Sequence, residues 1–294
     1  DVFTYTITDA DGDTSEATIT INLSDTEKPV ASATAAMVDD DGLPLGNEDS
    51  PVAGDESAAD SDSFSGTLNF TKGGDIPVTV SIAAMALAPG NTDTVGTELV
   101  TYEWEEAAST LSARITGGDR DNTILFAVKI TDANNGDYTV NLLQNVLHAD
   151  ADGENNATAT INYVVTDDDG STDDANLTIT FDDDTPVAVD ETAVAAEEAG
   201  ANVGGNVLTN DNQGADRAVE VTGISSNYES AVGTVGSDLA GEFGSLTISA
   251  NGAWTYEPND VVDNDPAAQD VFTYTITDAD GDTSEATITI NLSD

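Results

Sequence analysis

Period two dominates the chain. Near the start Phe3, Tyr5 and Ile7 alternate with Thr4, Thr6 and Thr8, and Ala17, Ile19, Ile21 and Leu23 alternate with Thr18, Thr20 and Asn22. Alternation of apolar with Thr-rich positions predicts half-buried β-strands, because successive side chains leave a strand on opposite faces. The intervening DADGD supplies the turn. The same pattern predicts strands at 271–277 and 286–292, a hairpin over 161–181, and further strands at 63–70, 77–82, 99–105, 124–131 and 138–143. In the last third, 218–224, 244–250 and 253–257 read as strands, the last two joined by Asn251-Gly252, a strong hairpin turn. Residues 142–148 read as a short helical turn and 37–62 as a polar, acidic loop. Many short strands with regular turn punctuation predict an all-β protein of sandwich domains.

Repetition adds the domain plan. Residues 1–25 recur letter for letter as 270–294, and INYVVTDDDGSTDDANLTITF (161–181) is a diverged copy. Identity over that length points to recent duplication, and tandem modules that contact mainly their neighbours stack into elongated objects. SDTEKPVA (24–31) follows the first hairpin and FDDDTPVA (181–188) follows the middle one. Each is an acidic cluster, then Pro-Val-Ala, then new strands. The expected domains are therefore 27–184 and 185–294, with 1–25 the closing hairpin of a preceding unit. An isolated hairpin is marginal in water, so this segment is expected to be mobile and the chain monomeric.

Charge changes the picture further. The chain carries 57 Asp and Glu against 6 Lys and Arg, a formal net charge of −51. Such a surface repels phosphates and anionic membranes, so nucleic acid and direct membrane contact are excluded as partners. Self-repulsion opposes compaction. With no Cys, neither disulfides nor thiolate metal sites can compensate, which leaves bound divalent cations as the expected counter-charge.

Calcium takes about 6–8 oxygen ligands, mostly carboxylates, carbonyls and water. The hairpin turns offer Asp9, Asp11 and Asp13, then Asp278, Asp280 and Asp282, and in the middle copy Asp167 and Asp169. Alternate residues around a tight turn can converge on one point, although an ordinary Asp-Gly turn with solvated charges fits the same pattern. These loops are not EF-hands, because the glycine falls one place early and strands replace the helices. The junctions offer Asp182, Asp183 and Asp184 before Pro186, then Asp190 and Glu191 after it. More loosely, Asp25 and Glu27 precede Pro29, with Asp39, Asp40 and Asp41 beyond. Unneutralised, such acids would splay adjacent domains apart; a shared cation would lock the hinge. Asn210 and Asp211 are further candidate ligands, or simply form an Asx turn. Lesser candidates are Asp132, Asn134 and Asp137, and Asp150, Asp152 and Glu154.

Enzymatic signals are poor. His148 is the sole histidine, which leaves almost no material for a zinc site or a His-based triad; it reads as a structural or surface residue. Nucleophile-elbow, dinucleotide and phosphate-loop motifs are absent from the sequence. Trp104 and Trp254 lie in strand patterns and read as core.

NVLTND (206–211), GSLTISANGAWTYEP (244–258) and DVFTYTITDADGDTSEATITI (270–290) resemble the bacterial cadherin-like domain, also called the VCBS repeat. GDYTVNLLQNVLHADADGENNATATINYVVTDDDGST (136–172), with VDDDGLP (38–44), resembles the type I-secreted agglutinin repeat. Both occur in giant bacterial RTX adhesins. The resemblance implies tandem Ig-like or cadherin-like sandwiches, bound Ca2+, and a non-enzymatic extracellular spacer that projects an adhesive tip from the cell surface. The alternative is a module that itself binds glycans or other cells.

Overall fold

The computed structural model describes residues 1–22, 27–44, 46, 61–82, 92–148, 153, 155–196, 201–216, 219–259 and 268–293. Among these, regular structure is β-strand apart from short 3₁₀ turns at Asp40–Gly42, Val207–Thr209 and Tyr228–Ser230. The N-terminal hairpin is β1 (Val2–Thr8) and β2 (Thr14–Thr20). The middle part holds β3 (Val30–Ala31), β4 (Thr34–Asp39), β5 (Ser63–Thr67), β6 (Phe70–Thr71), β7 (Thr79–Ile82), β8 (Thr92–Val95), β9 (Glu98–Glu105), β10 (Thr110–Ile115), β11 (Ile124–Asp132), β12 (Asp137–Leu142), β13 (Ala157–Thr166) and β14 (Thr172–Asp182). The last part holds β15 (Glu191–Ala196), β16 (Val203–Asn206), β17 (Glu220–Ser226), β18 (Ala231–Val232), β19 (Leu239–Ala240), β20 (Gly244–Ile248), β21 (Ala253–Pro258), β22 (Gln269–Thr277) and β23 (Thr283–Ser293).

Two sandwiches result, each with its own core. In the first, a six-stranded sheet ordered β5-β12-β11-β10-β9-β8 faces a four-stranded sheet ordered β4-β14-β13-β7. Alternation delivers the packing: Ala159, Ile161, Tyr163 and Val165 of β13 are buried while their neighbours are exposed or half-buried. Phe126 and Phe181 meet across the sheets with ring centroids 5.0 Å apart. In the second, a five-stranded sheet ordered β15-β23-β22-β17-β18 faces β16-β21-β20-β19, and Tyr256 stacks edge-on against Phe272 at 6.2 Å. In both sandwiches the opening strand pairs parallel with the closing one, β4 with β14 and β15 with β23. The end of each closing strand therefore lies beside the end of its opening strand, and in the first sandwich both ends deliver acids to the same place.

Two sequence expectations need correction. Residues 143–148 are not a helical turn: the Val146 N–H donates to Asp40 Oδ2 and the His148 N–H to Asp280 Oδ2, so these amides serve tertiary partners instead of a helical ladder. The stretch read as a polar loop from 37 begins instead as the end of a buried strand, β4, whose small Ala-rich sequence hid its pairing with β14. Residues 45 and 47–60 lie outside the described residues.

The repeated hairpin appears in two environments. β1 pairs with β2 in the register of β22 with β23, Phe3 opposite Ile19 and Phe272 opposite Ile288. Yet Phe3, Tyr5 and Ile19 are 53%, 48% and 52% exposed, whereas Phe272, Tyr274 and Ile288 are 0% exposed. Local sequence is sufficient to draw the hairpin; the apolar face is satisfied only where the rest of a sandwich covers it.

Candidate metal centre at the domain junction

Five chain segments converge where the two sandwiches meet. From the first come the 3₁₀ turn after β4, with Asp40, and, after β12, residues 145–148 and Gly153. The linker contributes Asp183 and Asp184. From the second come Asp216 and the tip of the β22–β23 hairpin, with Asp278, Asp280 and Asp282. The tip is shaped by Gly281 at φ 111°, a conformation only glycine adopts easily. Asp278 Oδ1 accepts the Gly281 and Asp282 amides at 3.0 and 2.8 Å, holding the loop closed.

Contacts across the junction are specific. His148 donates its amide to Asp280 at 3.0 Å and Gly153 donates to Asp282 at 2.9 Å. Asn145 Nδ2 donates to Asp216 Oδ1 at 2.5 Å. Asp184 accepts the Ala215 amide at 2.5 Å. His148 Nδ1 stands 2.8 Å from Asp183 Oδ1.

Satisfaction stops there. Asp40, Asp183, Asp216, Asp278 and Asp282 are each more than nine-tenths buried. Buried oxygens without a hydrogen-bond partner are Asp40 Oδ1, Asp183 Oδ2, Asp216 Oδ2, Asp278 Oδ2, Asp280 Oδ1 and Asp282 Oδ2. Carboxylate oxygens of Asp216, Asp278 and Asp280 lie within 4.8 Å of one another. Burying one unpaired carboxylate is costly; burying several together requires protons or a cation. Protonation tendencies express the same conflict. Burial first, then neighbouring acids, push Asp216 and Asp278 each up to about 8 and Asp183 to about 6, and hold Asp40 well above the usual carboxylate range. His148 is raised: burial disfavours its charge, but Asp183 and Asp216 outweigh that. An all-oxygen set of buried acids is the donor chemistry a hard divalent cation takes, so the residues present fit one.

The duplicated loop isolates the role of context. Asp9 makes the same hydrogen bonds to Gly12 and Asp13, at 3.0 and 2.8 Å, that Asp278 makes to Gly281 and Asp282. Its carboxyl is nevertheless shifted down, first by Asp11 and then by the Asp13 amide, whereas Asp278 is shifted up. Burial and the surrounding acids cause the reversal. Asp9, Asp11 and Asp13 cluster within 4.8 Å but stand exposed.

Other candidate residues fall elsewhere. Asp39 caps the 3₁₀ turn by accepting the Asp41 amide, and both are buried; Asp182 sits opposite Asp39 at the end of the β4–β14 ladder. Asp167 and Asp169 share the Ser171 amide at the β13–β14 tip, where Asp167 first and then Ser171 lower Asp169, and Asp173 accepts the Ala31 amide at 2.8 Å. That tip lies by the linker holding Glu27; Asp25 lies outside the described residues. Asp190 is exposed and pinned to Thr287. Asp211 ties the segment leading into β15 to β22 by accepting the Val189 amide and the Tyr274 hydroxyl at 2.7 and 2.8 Å; Glu191 and Asn210 lie beside it. Asp132 accepts the Asn134 and Asn135 amides in an exposed turn. Asp150, Asp152 and Glu154 lie outside the described residues. Sequence reasoning missed Asp216 and the junction position of His148. Asp216 lies in QGAD just after NVLTND, and only Gly214, at φ 69° with its Cα facing the Asp184 carboxylate, hints at a tight approach.

Comparison with known proteins gives three findings. Residues 183–294 match the bacterial cadherin-like domain family. The calcium-binding lectin RapA2 of Rhizobium johnstonii is 30% identical over 141 residues, which is 45% of this chain and 58% of the lectin; the chain thus spans just over half of that relative. Among solved structures, mouse protocadherin-24 EC1-3 is 16% identical with a TM-score of 0.31, covering 99% of this chain and 80% of that one. The human desmocollin-1 ectodomain is 12% identical with a TM-score of 0.30, covering 98% and 46%. The chain is an all-β protein of two sandwiches, and the second, at residues 183–294, matches the bacterial cadherin-like domain family.

Proposed function

We propose that this chain is a calcium-stiffened spacer from a bacterial cell-surface adhesin, with extracellular location and no enzymatic activity. The observation that carries the reading is the set of buried carboxylate oxygens without partners, drawn from both sandwiches and the linker into one junction. Calcium there would be held by Asp216, Asp278 and Asp280, with Asp40, Asp183 and Asp282 around them, and would supply the positive charge that a chain of net charge −51 lacks. What the residues themselves do is mechanical. They bring acids from two domains so close that neutralising them couples the domains. Similarity to a calcium-binding lectin supports the ion and an adhesion-related setting. The finer identity is an RTX-type adhesin array exported by type I secretion, with VCBS and agglutinin-type repeats at 185–294 and 27–184 and the chain's neighbouring repeats as its partners. It rests on the sequence motifs.

Small-angle scattering on the full chain tests the reading. A rigid rod in calcium that becomes a broader, hinged ensemble in EDTA is expected; unchanged scattering would assign the junction to direct packing. The lectin relative favours one rival, direct glycan binding by this segment. A glycan array with calcium present decides between them, since a spacer gives no hits.

A further inference from the structure

The junction holds one nitrogen ligand among its oxygens, and the calcium reading gives it no task. His148 is 2% exposed. A ring nitrogen of His148 and one oxygen each of Asp183 and Asp280 lie within 4.8 Å of one another. This group shares only Asp280 with the Asp216–Asp278–Asp280 group. We propose that His148, Asp183 and Asp280 form a second, chemically different cation site, which takes a borderline transition-metal dication of the zinc or cobalt class.

Geometry and ligand chemistry carry this. His148 Nδ1 is 2.8 Å from Asp183 Oδ1, yet the ring makes no in-line hydrogen bond to it. Two ligands on one tetrahedral zinc-sized ion, each about 2.0–2.2 Å from it, sit about 3.3–3.6 Å apart without pointing at each other, so the pair need part by only about half an ångström to admit the metal. Asp183 Oδ2 and Asp280 Oδ1 are buried without partners. A simple imidazolium–carboxylate pair would answer part of Asp183 and leave both of those oxygens unmet. Calcium prefers oxygen, whereas imidazole suits zinc, cobalt and nickel. The two groups thus divide the junction by ligand type, an all-oxygen half on the second sandwich and an imidazole-bearing half reaching back to the first. Asp280 lies at the boundary, and the His148 amide donates to its Oδ2.

Cobalt(II) is the probe, added to the calcium-saturated full chain without any polyhistidine tag. The expected result is a visible ligand-field band that saturates at one equivalent and survives a large excess of calcium. NMR should show hyperfine-shifted imidazole protons, which only His148 can supply because the chain has one histidine. His148→Gln should lose both signals while keeping the calcium-induced rise in melting temperature. Cobalt binding without shifted imidazole protons, displacement of cobalt by calcium, or an unchanged band in His148→Gln would each overturn the second site. The wild-type spectrum needs no variant to fold. Failure of the calcium reading shows separately, as a wild-type melting temperature indifferent to calcium.

Discussion

Asp216→Asn should change sign with the metal. Asp216 is 5% exposed and held at about 8, against 3.8 for an ordinary Asp. Its native pKa is raised, so the stabilising contribution is fully present below about pH 4 and is lost as pH rises through about 8. A tenfold change in proton affinity corresponds to ~1.4 kcal/mol, so the ionised residue costs the metal-free fold up to about 5 kcal/mol at pH 8. Neighbouring carboxyls share that field and take up protons too, which brings the expected gain from Asp216→Asn to about 2–4 kcal/mol. Asparagine keeps an oxygen to accept the Asn145 hydrogen bond and removes the charge. For a domain of this size that is a rise on the order of 10 °C in EDTA at pH 8, shrinking toward pH 5. In saturating calcium the same change deletes a ligand charge, and each tenfold loss of affinity removes about 1.4 kcal/mol of stabilisation. Scanning calorimetry of wild type and Asp216→Asn, in EDTA and in calcium at pH 5 and 8, separates the two effects. Destabilisation in both conditions would refute the reasoning and leave Asp216 a hydrogen-bond acceptor only.

The duplicated hairpin gives a matched pair: Phe272→Ala should cost about 3–5 kcal/mol as a large cavity, and Phe3→Ala, on the exposed copy, nearly nothing by denaturant titration. Deleting residues 1–25 should shift the melting temperature by no more than about 2 °C, since among the described residues β1 pairs with β2 alone. Asp211→Ala strands the Val189 amide and leaves the Tyr274 hydroxyl only the Val189 carbonyl as acceptor, and should cost about 1–3 kcal/mol; an equal loss in calcium and in EDTA would mark Asp211 as a structural tie, and a loss confined to calcium as an ion ligand.

Strands with β-branched and aromatic alternation, such as β13, β14, β22 and β23, were legible because their periodicity is local. β4 was not, because Thr-Ala-Ala-Met-Val carries little apolar contrast and its partner β14 lies more than a hundred residues away. The site was legible in pieces. Hairpin acids and linker acids each stood out, but their convergence depends on the hairpin tip of the second sandwich reaching the end of the first. Nothing in the periodicity of residues 211–216 marks Asp216, and a lone His148 in a semi-apolar stretch gives no sign that its amide and ring face another domain. Asp9 and Asp278 mark the limit: one sequence, one local geometry, and opposite protonation behaviour set by what surrounds it.

The most direct test of the central claim is anomalous diffraction from crystals of the full chain grown in calcium. The account predicts a calcium peak between the sandwiches, bounded by Asp216, Asp278 and Asp280. Calcium confined to exposed acids such as the Asp9–Asp13 turn, with none at the junction, would contradict it.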